Sequence, residues 1–249
     1  MGLFTDGELA TLERLRDFES AIEEVLTGER IEISSKLRLA HEDVAADLSA
    51  FLIQAADEGG ERWGLENVVV TPALRQWEVL HALELIYRDA HSSHLNDRYL
   101  AKWKEYRRSA REARRRLFEQ GLGATRRPIP KAPVPTLGEV AGANPGGTFW
   151  VRVSWVRDQE EGAPSDARAW AAAPDKALTV QAAEPPAGVS GWNLYAGVLP
   201  DDVELQNDQP LAPGSLWIMP ETGPRRGRPA GTGQTPSEFI RLRQILLRG

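Results

Sequence analysis

Apolar positions in the first half of the chain recur every three or four residues, the spacing that lines one face of a helix. Leu9, Leu12, Leu15, Phe18, Ala21, Ile22 and Val25 follow it. They predict a first helix that starts at the capping-box pattern Thr5-Asp6-Gly7-Glu8 and ends at Gly28. Leu37, Ala40, Val44, Leu48, Phe51 and Leu52 predict a second over 34–56, stopped by Gly59-Gly60. Val68-Val69-Val70 is too short to assign. Thr71-Pro72 opens a third helix, whose apolar face holds Leu74, Trp77, Leu80, Leu83, Ile86 and Tyr87. A fourth follows His91–Asn96 and runs to Gln120, with Tyr99, Trp103, Tyr106, Ala110, Ala113 and Leu117 on one face.

Beyond the fourth helix the period falls to two. In 148–156 Phe149, Val151, Val153 and Trp155 share one face of a strand rich in β-branched and aromatic residues. Asn144-Pro145-Gly146-Gly147 before it and 161–165 after it carry turn and loop chemistry. Residues 177–182 and 191–197 read as further strands, the latter with Trp192 and Leu194 alternating against Asn193 and Tyr195. Residues 203–206 and 215–219 are weaker strand candidates. Composition shifts at the same place: residues 1–120 hold six glycines and one proline, residues 121–249 sixteen of each. Both residues interrupt helices and punctuate short strands. The expected fold class is therefore α+β and multidomain. A four-helix domain over 1–122 is followed by a Pro-rich linker over 123–135, an all-β sandwich over 136–222, and an Arg/Gly/Pro-rich arm with a short helix over 223–249.

In that last segment Thr235-Pro236-Ser237-Glu238 repeats the capping-box logic and predicts a helix over 239–248 with Phe239, Leu242, Ile245 and Leu246 on one side. So short a helix needs a surface to dock on, either its own domain or a partner. The arm before it, 223–233, is expected to lack structure of its own.

Charge is sorted along the chain. Residues 1–60 carry 5 basic and 14 acidic side chains, residues 98–131 carry 12 and 3, and the whole chain has a formal net charge of −6. In the fourth helix Lys104, Arg108, Arg111 and Arg115 form one stripe, flanked by Arg107, Arg114 and Arg116. Such a stripe is a solvated surface, the complement of an acidic partner, or a seat for phosphates. The acidic balance weighs against a dedicated nucleic-acid binder.

Catalytic patterns are sparse. The absence of cysteine excludes disulfides, thiolate metal sites and a thiol nucleophile. No nucleophile elbow, HExxH, Walker loop or dinucleotide fingerprint occurs. His91 and His94, with Asp89 or Asp97, have a spacing that could present metal ligands, but His-x-x-His between helices reads first as exposed polar loop. No catalysis, metal or cofactor is expected. The eight tryptophans alternate within strands and repeat on helices, so most are expected in the core rather than in a carbohydrate site. No leader-like or membrane-spanning run is present in the sequence, and a cytosolic origin is expected.

The stretch 68–113 contains Pro72, Leu74, Trp77, His81, Leu85, Tyr87-Arg88-Asp89-Ala90, Leu95-Asn96-Asp97-Arg98-Tyr99, Lys102-Trp103 and Tyr106. Together with Lys36-Leu37 to Leu52 it resembles the head–tail connector (adaptor) proteins of tailed bacteriophages, over a little under half the chain. Residues 146–156, 161–165 and 191–197 look like the fibronectin type III or Ig-like modules that decorate phage structural proteins. The resemblance implies a structural virion protein at the head–tail junction, assembled in the host cytoplasm as a homo-oligomeric, dodecameric ring under the portal. Its partners would be the portal protein, a neck or tail component (a stopper or tail tube protein), and double-stranded DNA that passes through the channel without sequence-specific binding; no membrane is implied. It further implies a ring or portal interface at Lys104, Arg107, Arg108, Arg111, Arg114 and Arg115, and a portal-docking tail at Phe239, Ile240, Leu242, Arg243, Leu246 and Arg248. Compact connectors lack a sandwich. The sandwich leaves a second reading open, a phage-borne or surface binding module for carbohydrate or protein.

Overall fold

The computed structural model describes residues 1–58, 61–94, 97–143 and 146–242. The architecture is mixed α+β, with a helical half followed by a β-rich half. The chain divides into two compact units, Gly7–Arg126 with Pro236–Gly249, and Met1–Asp6 with Arg127–Thr235.

The helical unit contains α1 (Leu12–Phe18), α2 (Ile22–Gly28), α3 (Ile33–Asp57), α4 (Pro72–His94) and α5 (Asp97–Gln120). Helices α3 and α5 match their predicted spans, whereas α4 runs on through His94, so that His91–His94, expected as a loop, is its last turn. Glu32 opens α3 by accepting from the Ser34 and Ser35 amides at 3.1 and 2.6 Å. Thr71 Oγ1 opens α4 by accepting from the Leu74 amide at 3.3 Å, and Pro72 at the first helical position wastes no donor. The predicted apolar faces meet: Leu48, Leu74, Leu83 and Ile86 are fully buried and Leu117 nearly so. Ring contacts extend this core, with Phe51 stacked on Phe118 at 4.5 Å and Tyr87 on Tyr106 at 5.4 Å. The Gly59-Gly60 stop lies outside the described residues.

The predicted first helix is instead two. The helix does not start at Thr5-Asp6-Gly7-Glu8: Phe4–Asp6 is a 3-10 turn, and the Asp6 carboxylate accepts from the Leu3 and Lys131 amides within the β-rich unit. Thr11 caps α1, accepting from the Arg14 amide at 3.3 Å. The helical pattern then breaks at Glu19, whose buried side chain accepts from Lys102 Nζ at 2.7 Å and Tyr106 Oη at 2.8 Å. A tertiary contact overrides local periodicity there.

The predicted C-terminal helix over 239–248 is corrected over its first residues, 239–242, and the rest of it lies outside the described residues. Glu238–Ile240 is a strand, β10, paired antiparallel with β1 (Leu122–Ala124) immediately after α5. Ser237 donates its amide to the Ala124 carbonyl at 2.9 Å instead of capping a helix, and Arg241 Nε donates to the Gln120 carbonyl at 2.7 Å. A short isolated helix gains little in water, whereas β1 offers unpaired backbone groups that β10 satisfies. Residues 243–249, and with them Arg243, Ile245, Leu246 and Arg248, lie outside the described residues.

The β-rich unit holds β2 (Thr136–Ala141), β3 (Gly147–Arg157), β4 (Glu160–Glu161), β5 (Arg168–Ala172), β6 (Lys176–Gln181), β7 (Gly191–Leu199), β8 (Asp202–Leu205) and β9 (Leu216–Ile218). One sheet runs β2-β6-β9. The other runs β4-β3-β7-β8, with β5 also on β3. Both contribute to one apolar core that includes Val151, Val153, Trp155, Leu178, Val180, Trp192 and Leu194. Thus β3, β6 and β7 lie where the alternation placed them, while β2 and β5 carried no signal strong enough to be assigned. The Asn144-Pro145 turn lies outside the described residues.

The arm over 223–233 is not structureless. The Arg228 carbonyl accepts from the Leu205 amide at 2.9 Å, the Arg225 amide donates to Gln206 Oε1 at 2.8 Å, and the Gly227 amide donates to Glu204 Oε2 at 3.0 Å. Residues of low hydrophobicity are held here by backbone hydrogen bonds to the β8 edge, which composition does not report.

The β1–β10 pairing depends on close approach at Gly123, where a Cβ would stand 2.9 Å from both Pro236 Cγ and Thr71 Cγ2. Gly123→Val should therefore destabilise the helical unit by about 1–3 kcal/mol in chemical denaturation, while Gly231→Ala, at a position with open space, should leave the midpoint unchanged.

Candidate functional site

Three polar clusters in the helical unit draw on charged residues of several helices. The first surrounds Glu78 of α4, whose side chain is fully buried. Its Oε1 accepts from the Leu9 and Ala10 amides at 2.7 and 3.2 Å, and its Oε2 lies 3.1 Å from His41 Nδ1 of α3. The hydrogen bond to Glu78 is the main force that holds the His41 imidazole above its usual pKa. In the second cluster His81 lies between two carboxylates, with Nδ1 3.1 Å from Glu84 Oε2 and Nε2 2.9 Å from Asp43 Oδ2. Only imidazolium can donate from both nitrogens. Burial alone would push its pKa down, and the two carboxylates outweigh burial and raise it. The third cluster is Glu19 with Lys102 and Tyr106; burial works to raise the Glu19 carboxyl, but its hydrogen bonds outweigh that and hold it below its usual value. All three clusters are internally paired.

The basic stripe of α5 behaves differently along its length. Arg114 is tied to Asp47 of α3 at 2.7 Å and lies over the Phe118 ring. Arg115 bridges Glu112 and Glu119, each at 2.8 Å, and Arg116 reaches Glu112 at 2.9 Å. Arg107 lies 4.0 Å from Glu84 and over the Trp103 ring. Lys104, Arg108 and Arg111 are exposed and pair with no carboxylate among the described residues. The six predicted interface residues are thus brought onto one helix, but only these three keep unneutralised charge. Around them is a shallow groove of about 330 Å³ that Arg107, Glu112 and Arg115 complete.

Of the predicted docking tail, Phe239 is exposed and Ile240 half-buried, both in β10, and Leu242 follows the strand. Arg243, Leu246 and Arg248 lie outside the described residues. The stripe and the described part of the tail belong to the same unit.

Two of the candidate metal ligands, His91 and Asp89, have other partners. His91 stacks on Trp103 with centroids 5.6 Å apart, and Asp89 pairs with Lys36 at 2.8 Å; the side chain of His94 lies outside the described residues. Among the described residues no group of three His, Cys, Asp or Glu side chains could hold a metal ion, and no helix is long and apolar enough to cross a membrane.

In the β-rich unit a polar network that no sequence pattern announces surrounds Glu161. This carboxylate accepts from Ser154, Tyr195 and Arg228, which covers the second face of β7 and explains why Asn193 and Tyr195 are as buried as Trp192 and Leu194. Four of the eight tryptophans, Trp77, Trp155, Trp170 and Trp192, are buried, and the other four are half-buried. No family model, curated protein or solved structure matches the chain.

Because His41 and His81 sit above the ordinary imidazole value when folded, the stability they add is fully present below that value. It is lost as pH rises through their raised values. Urea midpoints should therefore fall from mildly acidic to alkaline pH. His81→Gln should flatten that dependence, since the amide side chain does not titrate.

Proposed function

We propose that the protein is a structural subunit of a tailed-bacteriophage particle, a head–tail connector that forms a ring under the portal and extends the DNA channel to the neck and tail components. The observation that carries the reading is the α4–α5 pair. The residues on which the resemblance rests supply its apolar and aromatic core: Leu74, Trp77, Leu85, Tyr87, Tyr99 and Tyr106 are all buried there, and Tyr87 packs against both Tyr99 and Tyr106. Here the buried carboxylates are internally paired and the unpaired charge lies on an exposed helix face, an arrangement suited to contact with a partner.

In this reading the helical unit is a four-helix connector domain, with the split first helix counted as one. The β-rich unit is an Ig/fibronectin-like decoration. Its chain path supports that assignment: β3 and β7 are neighbours in one sheet, and β6, between them in sequence, belongs to the other. This alternation of sheets characterises Greek-key sandwiches. The alternative is a binding module for carbohydrate or a protein partner; its carbohydrate form would want an exposed aromatic platform, and none of the eight tryptophans is among the exposed residues.

Immunogold electron microscopy on particles from the source lysate, with antibody against residues 136–222, tests the reading. Label at the head–tail junction is expected. Label on fibres, on cells or on no particle would move the assignment to the binding module.

A further inference from the structure

Intramolecular pairing absorbs much of the charge that the sequence separates, and what it leaves is patterned. On α5 the unneutralised cations are Lys104, Arg108 and Arg111. Spaced by four and three residues, they share one helix face, with rises of about 6 and 4.5 Å between them. On α1 Glu13 and Asp17 are exposed, have no ion-pair or hydrogen-bond partner among the described residues, and are also four apart. They therefore form a carboxylate row of the same pitch as Lys104 and Arg108. Glu24, in the first turn of α2, is likewise exposed and unpaired. The two surfaces lie in one unit, at different places in its sequence, and neither neutralises the other.

We infer that the α5 stripe is a subunit-contact surface whose partner is the α1–α2 carboxylate row of a second copy of this chain. The inference deepens the connector reading and rests on it only for its purpose. A contact between two different patches on identical subunits is heterologous, and repetition of such a contact closes a ring or extends a filament. Opposite charges in matching rows set the register of that contact and disfavour stripe against stripe. The occupied stretches on either side of the stripe sharpen it: Arg114 and Arg115 are already held by Asp47, Glu112 and Glu119, so the charge left to a partner is the segment 104–111. Glu112 at the rim of the groove and the net charge of −6 favour an acidic protein surface over the continuous phosphate charge of nucleic acid.

The test is sedimentation velocity on the full-length protein with two charge-reversed variants, Lys104→Glu/Arg108→Glu/Arg111→Glu and Glu13→Lys/Asp17→Lys/Glu24→Lys. All six side chains are exposed, and unchanged circular dichroism checks that both variants fold. The wild type is expected to self-associate at low salt and to lose roughly tenfold or more in association constant at high salt. Each variant alone should remain monomeric, because its rows are then alike in sign, and an equimolar mixture of the two should associate again. A wild type that stays monomeric at low salt, or a mixture that stays monomeric, overturns the inference. So does retention of wild type, but not of the stripe variant, by a double-stranded DNA probe without self-association. None of these outcomes touches the location of the protein in the particle, which the antibody label decides separately.

Discussion

The helical unit is organised around a carboxylate with no access to water. Glu78 accepts two backbone amides from the segment before α1 and faces His41 on α3, so one side chain joins three parts of the chain in the second turn of α4. Burying a carboxylate is costly unless its oxygens are satisfied. The arrangement is therefore specific: the entry to α1, the register of α3 and the rotation of α4 must all be correct at once. Glu19 repeats the device on the other side of α1, where Lys102 and Tyr106 of α5 meet it. Between them the two carboxylates fix α1 relative to the three long helices, which a seven-residue helix could not achieve from its own propensity.

That use of charge inside the unit determines what remains outside. Acidic residues of α3 and α4 neutralise part of the basic helix, Asp47 through Arg114 and Glu84 through Arg107. The rest of α5 pairs along its own surface through Glu112 and Glu119. Exposed pairs of this kind add little stability. Their larger consequence is to restrict the free positive charge to Lys104, Arg108 and Arg111. A broad basic face in the sequence becomes a short, directional patch in the fold.

The legible and illegible parts of the fold divide by the range of the interactions that fix them. Helices α3, α4 and α5 are long, and each carries an unbroken apolar stripe; the caps Thr71 and Pro72 are local, so the sequence suffices. Strand β3 is legible for the same reason, since its alternation of Phe149, Val151, Val153 and Trp155 repeats over a full strand. The break between α1 and α2 is not legible, because it depends on Lys102 and Tyr106, more than eighty residues away. The strand at 238–240 reads as a helix start because Thr235 and Glu238 have the spacing of a capping box; what decides against it is the edge offered by β1. The arm at 223–233 looks disordered by composition, since Gln206 and Glu204, which hold its backbone, lie about twenty residues upstream. For the candidate site, periodicity locates the basic helix, but which of the six predicted interface cations stay free depends on partners in α3, α4 and α5 itself that periodicity does not reveal.

The same long-range logic governs the ends of the chain. The first six residues belong to the β-rich unit, where Asp6 accepts the Lys131 amide, while the segment from Pro236 belongs to the helical unit. The chain therefore passes between the units three times, at 6–7, 126–127 and 235–236. A linear cut at the Pro-rich stretch would remove from each unit a terminal segment that satisfies its backbone: the acceptor of the Lys131 amide in one, the partner of the β1 edge in the other. Unpaired buried backbone groups are costly, so neither half of a linear cut carries a complete complement of hydrogen bonds. The pieces that do are discontinuous in sequence. This ties any assembly role of the C-terminal segment to the integrity of α5, because Arg241 and β10 are held by the residues that end that helix, Gln120 and Leu122–Ala124.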